Sequence, residues 1–250
     1  MVNHRRDAEA VEVFTVDTAA NTLTFVTSIT HPLLRNINDV LPIAASPPHF
    51  LVTNWLYYEP GTFAGFLDNA LKRPNSYVVA CSGNNCNVAV SGLKMANGIA
   101  SSPDHKTVYV VESISKHVGV YHHDIAARKL TPVEYVPTVT LCDNIQRDPV
   151  QSDVFYTACH PKALTFLAHT LDHQHDAPSQ VLRVTKGVDG KHTVSQLFYT
   201  DGHDMSASSG AVVVNVRRMP AISHHTHSSS PQGKLYVGAV HRDGVLVCDV

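Results

Sequence analysis

Ala96-Asn97-Gly98-Ile99-Ala100-Ser101-Ser102-Pro103-Asp104-His105-Lys106-Thr107-Val108-Tyr109-Val110 reads as two short strands joined by a tight turn. The Ser-Pro-Asp-x-Lys centre is turn chemistry: Pro presets φ, and Asp bonds the backbone that follows it. The flanks are β-branched and aromatic. The pattern recurs on both sides. Asn38-Asp39-Val40 leads through Pro47-Pro48 to Phe50-Leu51-Val52, and Asn144-Ile145 leads through Asp148-Pro149 to Val154-Phe155-Tyr156. A weaker copy without the leading Asn covers Pro231-Gln232-Gly233-Lys234-Leu235-Tyr236-Val237. The leading Asn residues lie 59 and 47 positions apart, close to the roughly 40–50 residues of one propeller blade.

Outside these copies strand signals still dominate. Val11 to Val16 and Leu23 to Val26 flank the turn Thr18-Ala19-Ala20-Asn21 as a hairpin. One modest helix is expected, over 64–72, and the later segments carry no helical spacing. The reading is an all-β chain, a β-propeller of about four blades forming an incomplete ring, with residues 1–250 as one partial domain. Terminal blades of such an arc would expose unpaired strand edges.

A chain of 250 residues with 44% hydrophobic content can bury a substantial core. Nineteen basic against 21 acidic residues leave no basic stripe for a nucleic-acid backbone. No apolar run reaches the roughly 18 residues of a membrane-spanning helix, and residues 1–10 are too polar for a signal peptide. None of the five cysteines forms a CxxC pair, which disfavours structural zinc. Cys81 and Cys86 flank a turn and form either a local disulfide or two reduced thiols on a hairpin.

Propeller strands at equivalent positions converge on a central channel. Asn38, Asn97, Asp143 and Asn144 therefore offer hard oxygen donors from three successive blades. No Cys or His accompanies them, which suits calcium or magnesium rather than zinc or copper. Taken alone, each Asn is a strand-end residue bonding local backbone. In register, they read as a metal site with room for a water or a substrate oxygen. Asp39 lies on the opposite face of its strand and is placed to hold a second ion.

These residues also carry a resemblance. Val2-Asn3-His4, Leu33-Leu34 through Asn38-Asp39-Val40, Thr53-Asn54, Ala96-Asn97-Gly98-Ile99, Asp143-Asn144-Ile145 and Cys159-His160-Pro161 resemble, in order and spacing, the paraoxonase/arylesterase family. The resemblance covers nearly the whole chain. It implies a six-bladed propeller with two channel calcium ions that hydrolyses small aryl esters and lactones. It places Asn38, Asn97, Asp143 and Asn144 on ligands of the catalytic calcium, and Asp39 on a ligand of the structural one. His4 falls on one member of a proposed general-base histidine pair, and His160 on a histidine of the active-site mouth. A gluconolactonase-like or strictosidine-synthase-like propeller shares the metal logic, but Cys159-His160-Pro161 with Leu33-Leu34 favours the paraoxonase-like branch. The implied mechanism is a water nucleophile, a calcium-polarised carbonyl, and His4 or Asp143 as base. No Gly-x-Ser-x-Gly elbow supports a serine nucleophile.

The resemblance also carries departures. The family's first blades, with an acidic ligand for each ion and the second histidine of the pair, have no counterpart before Asn3-His4. The expectation is therefore weak calcium binding and slow hydrolysis, with a non-catalytic propeller scaffold as the alternative. Trp55-Leu56 replaces a family acid and histidine, and Cys248 lacks its family partner, leaving a free thiol. The His/Ser-rich stretch within 220–233 is expected to be a solvated, disordered insertion loop. Family members are often extracellular, although this chain shows no Asn-x-Ser/Thr acceptor.

Overall fold

Phe50-Leu51-Val52 and Tyr77-Val78-Val79-Ala80-Cys81 are continuous apolar runs rather than alternating ones. A strand reads this way when both of its faces are buried. In the computed structural model, Phe50, Val52, Tyr77, Val79 and Cys81 pack toward Val11, Ile29, Leu34 and Ile37. Leu51, Val78 and Ala80 pack toward Ile99, Val108, Val110 and Tyr121 on the other side. One sheet is thus sandwiched between two neighbours, the packing of adjacent propeller blades.

The structure describes residues 1–5, 8–58, 62, 71, 73–215, 233–240 and 244–250. Their strands form five antiparallel meanders. The first holds β1 (Val2–His4), β2 (Glu9–Asp17) and β3 (Thr22–Thr30). The second holds β4 (Ile37–Ala44), β5 (His49–Asn54), β6 (Ser76–Ser82) and β7 (Asn85–Leu93). The third holds β8 (Ala96–Ser101), β9 (Thr107–Glu112), β10 (His117–Asp124) and β11 (Lys129–Pro137). The fourth holds β12 (Leu141–Arg147), β13 (Val154–His160), β14 (Ser179–Lys186) and β15 (His192–Thr200). The fifth holds β16 (Ser208–Asn215), β17 (Gly233–Ala239) and β18 (Val245–Asp249). Each sheet keeps its strands in chain order, as the blades of a β-propeller do. Two compact units, Met1–Pro137 and Thr138–Val250, contain three and two of these sheets.

Five blades replace the four expected from the repeat. The additional one is β1–β3, which lacks the Asn-led template and reads in sequence only as a hairpin with a short preceding strand. A helix, α1 (Ala163–Leu171), overturns the expectation that the later segments lack helical spacing. Its Leu164, Leu167, Ala168 and Leu171 sit three and four apart, the spacing of one helical face. The helix expected over 64–72 lies outside the described residues except for Leu71. So does the His/Ser-rich stretch up to 232, after which Gly233 opens β17. No helix among the described residues is long and apolar enough to cross a membrane.

The turn that decided the fold forms as its residues dictate. Asp104 Oδ1 accepts the Ser102 hydroxyl at 2.6 Å and the Lys106 amide at 3.1 Å, while Ser102 Oγ accepts the Thr107 amide at 3.0 Å. His105 takes φ +57° at the tip. In the fourth sheet, Asp148 Oδ1 accepts the amides of Val150 and Gln151 at 2.8 and 2.7 Å, and Oδ2 accepts the Tyr156 hydroxyl at 2.7 Å. The cysteines resolve as two cross-strand disulfides. Cys81 faces Cys86 across β6–β7, and Cys142 faces Cys159 across β12–β13. The second bridge joins residues 17 positions apart, which only strand register brings together. Among the described residues Cys248 makes no disulfide.

Candidate active site

Every position singled out as a metal donor lies at an irregularity in the first strand of its sheet. Between Ile37, paired with Asn54, and Val40, paired with Val52, β4 carries one more residue than its partner. Between Ala96, paired with Glu112, and Ile99, paired with Val110, β8 does the same. Between Cys142, paired with Cys159, and Ile145, paired with Thr157, so does β12. These are β-bulges, which break the ladder and re-aim side chains. Asn38 and Asp39, Asn97 and Gly98, and Asp143 and Asn144 fill the three bulges. A fourth occurs in β16 between Ser208 and Gly210, and its extra residue is Ser209.

In the first unit, Asn97 is buried at 9% exposure, and its Oδ1 has no hydrogen-bond partner among the described residues. A buried amide oxygen left without a donor is costly. A hard cation is the kind of partner that would satisfy it. Asp39 Oδ2 accepts the amide of Ile99 at 3.0 Å and Oδ1 accepts that of Val40 at 2.8 Å, tying the β4 bulge to the β8 bulge. Burial raises the Asp39 carboxyl above the ordinary carboxylate range, and the two amides only partly offset it. A half-buried carboxyl in this state is one that a nearby cation would favour in its charged form. Among the described residues no three His, Cys, Asp or Glu side chains are grouped to hold a metal.

In the second unit, Asn144 donates through Nδ2 to the carbonyl and the hydroxyl of Ser209 at 3.0 and 3.1 Å. With its nitrogen end held there, the amide keeps its oxygen for another partner. Asp143 stands beside it in the same bulge, directly after the Cys142–Cys159 bridge. Ser209 escaped sequence reasoning because it is not an Asn. The signal was the run Ser208-Ser209-Gly210-Ala211 ahead of the apolar Val212-Val213-Val214.

The two histidines differ in setting. His160 closes β13 at 5% exposure, stacked flat on Phe166 of α1 with ring centroids 3.6 Å apart. Burial, helped by nearby His169, pushes its imidazole down to about 4, so it is neutral at pH 7. A neutral imidazole can accept a proton, but one pushed this low is a weak base at neutral pH. His4 instead lies exposed at the end of β1, its Nδ1 2.7 Å from Glu9 Oε2 on the facing strand. An imidazole oriented by a carboxylate is also a general-base arrangement. Trp55 and Leu56 follow β5; Leu56 is buried, so the wall after Asn54 is apolar.

A family model described as Arylesterase matches residues 1–227. The chain belongs to the arylesterase family. Among curated arylesterase relatives, human serum paraoxonase/arylesterase 1 is 32% identical over 250 residues, which is 100% of this chain and 63% of its own length. Bovine serum paraoxonase/arylesterase 2 is 31% identical over 90% of this chain and 62% of its own. Mouse serum paraoxonase/lactonase 3 is 30% identical over 90% of this chain and 62% of its own. The chain thus spans just under two thirds of the length of these arylesterase relatives. Among solved structures, an auxiliary nutrient binding protein from Bacteroides thetaiotaomicron superposes with TM-score 0.53 at 13% identity, over 98% of this chain and 52% of that one. A luciferin-regenerating enzyme superposes with TM-score 0.51 at 12% identity, over 92% and 64%. Both likenesses are of fold alone.

Proposed function

We propose that the protein is a calcium-dependent hydrolase of aryl esters and lactones. The observation that carries this reading is the buried Oδ1 of Asn97, without a hydrogen-bond partner among the described residues, in the β8 bulge of an arylesterase-family chain. Asn38, Asn97, Asp143 and Asn144 are the proposed donors to a catalytic calcium, and Asp39 to a structural one. Calcium, when bound, supplies Lewis-acid stabilisation of the oxyanion that forms as water attacks the carbonyl.

The chain's own residues supply the rest. Ser209 fixes which end of the Asn144 amide is committed to the protein. The Asp39 bonds to Val40 and Ile99 hold the β4 and β8 bulges in register. His4, His160 and Asp143 are the proposed bases, and His160, neutral at pH 7 but pushed down to about 4, is a weak one. The four catalytic donors carry one formal negative charge, from Asp143, so calcium affinity should be low.

The experiment is a calorimetric calcium titration into the millimolar range, with phenyl acetate and a δ-lactone assayed with and without chelator. Chelator-sensitive turnover restored by calcium is expected. Turnover indifferent to chelator would remove calcium from the mechanism, and no turnover with saturating calcium would leave a binding scaffold.

A further inference from the structure

A cavity of about 620 Å³ opens beside the second sheet, with Leu33, Arg35, Tyr57, Tyr58, Tyr77 and Val88 in its wall. Its volume lies within the range of small-ligand sites, roughly 300–1,000 Å³. Two short segments create it. Leu33 and Arg35 precede β4, and Tyr57 and Tyr58 follow β5, whose last residue, Asn54, pairs with Ile37 at the start of β4. The cavity therefore lies at the end of the sheet that carries Asn38 and Asp39.

Its chemistry is aromatic with one cation. The Arg35 guanidinium sits over the Tyr57 ring, 5.4 Å from the centroid, and the Tyr57 and Tyr58 rings meet edge to face at 5.1 Å. The Tyr77 hydroxyl is fixed by donation to the Leu33 carbonyl at 3.0 Å, which turns its ring into a rigid wall. Burial raises that hydroxyl's pKa, while Arg35 works against the rise, consistent with the guanidinium lying near it. The Arg35 amide is anchored on Asn54 Oδ1 at 2.7 Å, holding the backbone from which the side chain reaches. Among the described residues no carboxylate pairs with the guanidinium, and no hydrogen bond occupies its N–H fork.

We propose that this cavity binds a small aromatic carboxylate. A guanidinium lying over an aromatic ring can still offer its planar N–H fork to a carboxylate through two parallel hydrogen bonds. The three tyrosines supply the flat apolar contact that a benzene ring fills and a hydrated acetate does not. The inference stands apart from the calcium reading, because it needs neither metal nor turnover.

Trp55, the single tryptophan of the chain, lies two residues from Tyr57 in sequence and serves as the fluorescence probe, with calorimetry as the independent readout. Benzoate, benzamide and acetate are titrated into the intact protein by tryptophan fluorescence and calorimetry, with chelator present. Benzoate is expected to bind about tenfold or more tighter than either control. Arg35→Gln should erase the preference over benzamide, and Arg35→Lys should retain part of it. Equal binding of benzoate and benzamide, or a preference that survives Arg35→Gln, overturns the proposal. Acetate binding as tightly as benzoate overturns the aromatic part. If Arg35→Gln does not fold, as judged by circular dichroism, the wild-type comparison with benzamide and acetate decides alone.

Discussion

The carboxylate of Asp39 accepts the backbone amide of Ile99, sixty residues further along, at 3.0 Å. The same carboxylate caps the Val40 amide at 2.8 Å. Asp39→Ala would strand both donors, so a loss of about 1–3 kcal/mol in unfolding free energy is expected. Urea titration measures it. An unchanged midpoint would show that solvent replaces the carboxylate at no cost.

Acid should weaken the fold through buried imidazoles. His160 is pushed down to about 4 from an ordinary value of 6.5, and burial also lowers His49 and His123. The unfolded chain takes up protons that these rings refuse, so their contribution is complete above pH 6.5 and is lost as pH falls toward 4. For His160 the loss is on the order of 3 kcal/mol. His160→Phe, which keeps a ring against Phe166, should flatten the fall measured by urea unfolding at pH 7.5, 5.5 and 4.5. A variant with the wild-type slope would show that His160 is not the titrating group.

The Cys142–Cys159 bridge closes a loop of 17 residues and fixes the strand pair immediately before Asp143 and Asn144. Replacing both cysteines by serine should cost about 3 kcal/mol by chain entropy, against about 2 for the Cys81–Cys86 pair. Calcium affinity should fall with the first replacement and stay constant with the second. Equal effects on calcium would mean that the bulge is held by the sheet alone.

Asn97→Ala removes the orphaned oxygen, and calcium affinity should drop about tenfold, equivalent to roughly 1.4 kcal/mol. Ser209→Ala deletes one of two bonds to Asn144 and leaves the carbonyl contact, so its effect should be smaller. Calorimetry ranks the two. A Ser209→Ala effect larger than that of Asn97→Ala would reverse their roles.

The blade repeat was legible because turn chemistry is local: Ser102, Pro103 and Asp104 specify their hairpin without help from the rest of the chain. The proposed donors stood out for the same reason, since Asn38, Asn97 and Asn144 lie in the strands that lead into those turns. What escaped depends on pairing. Whether Cys81 and Cys86 bridge was open in the sequence, and Cys142 and Cys159 meet only once β12 and β13 are in register. The bulges follow from pairing as well, because an extra residue in β8 exists only relative to β9. Blade β1–β3 was hidden by the absence of an Asn-led turn, and α1 by apolar residues that also suit a strand.

The four bulges set position by counting against a partner strand rather than along the chain. Asn38, Asn97 and Asp143 are separated by 59 and 46 residues, yet each is the first residue of the bulge in its own ladder, with Asn144 taking the second place beside Asp143. The longer first interval comes from the connection between β5 and β6 inside the second sheet, which lengthens without changing the bulge, whereas deleting a single residue such as Gly98 would restore ordinary alternation in β8 and turn Asn97 to the other face. For anyone re-engineering this protein, the first strand of each bulged sheet is where length cannot change.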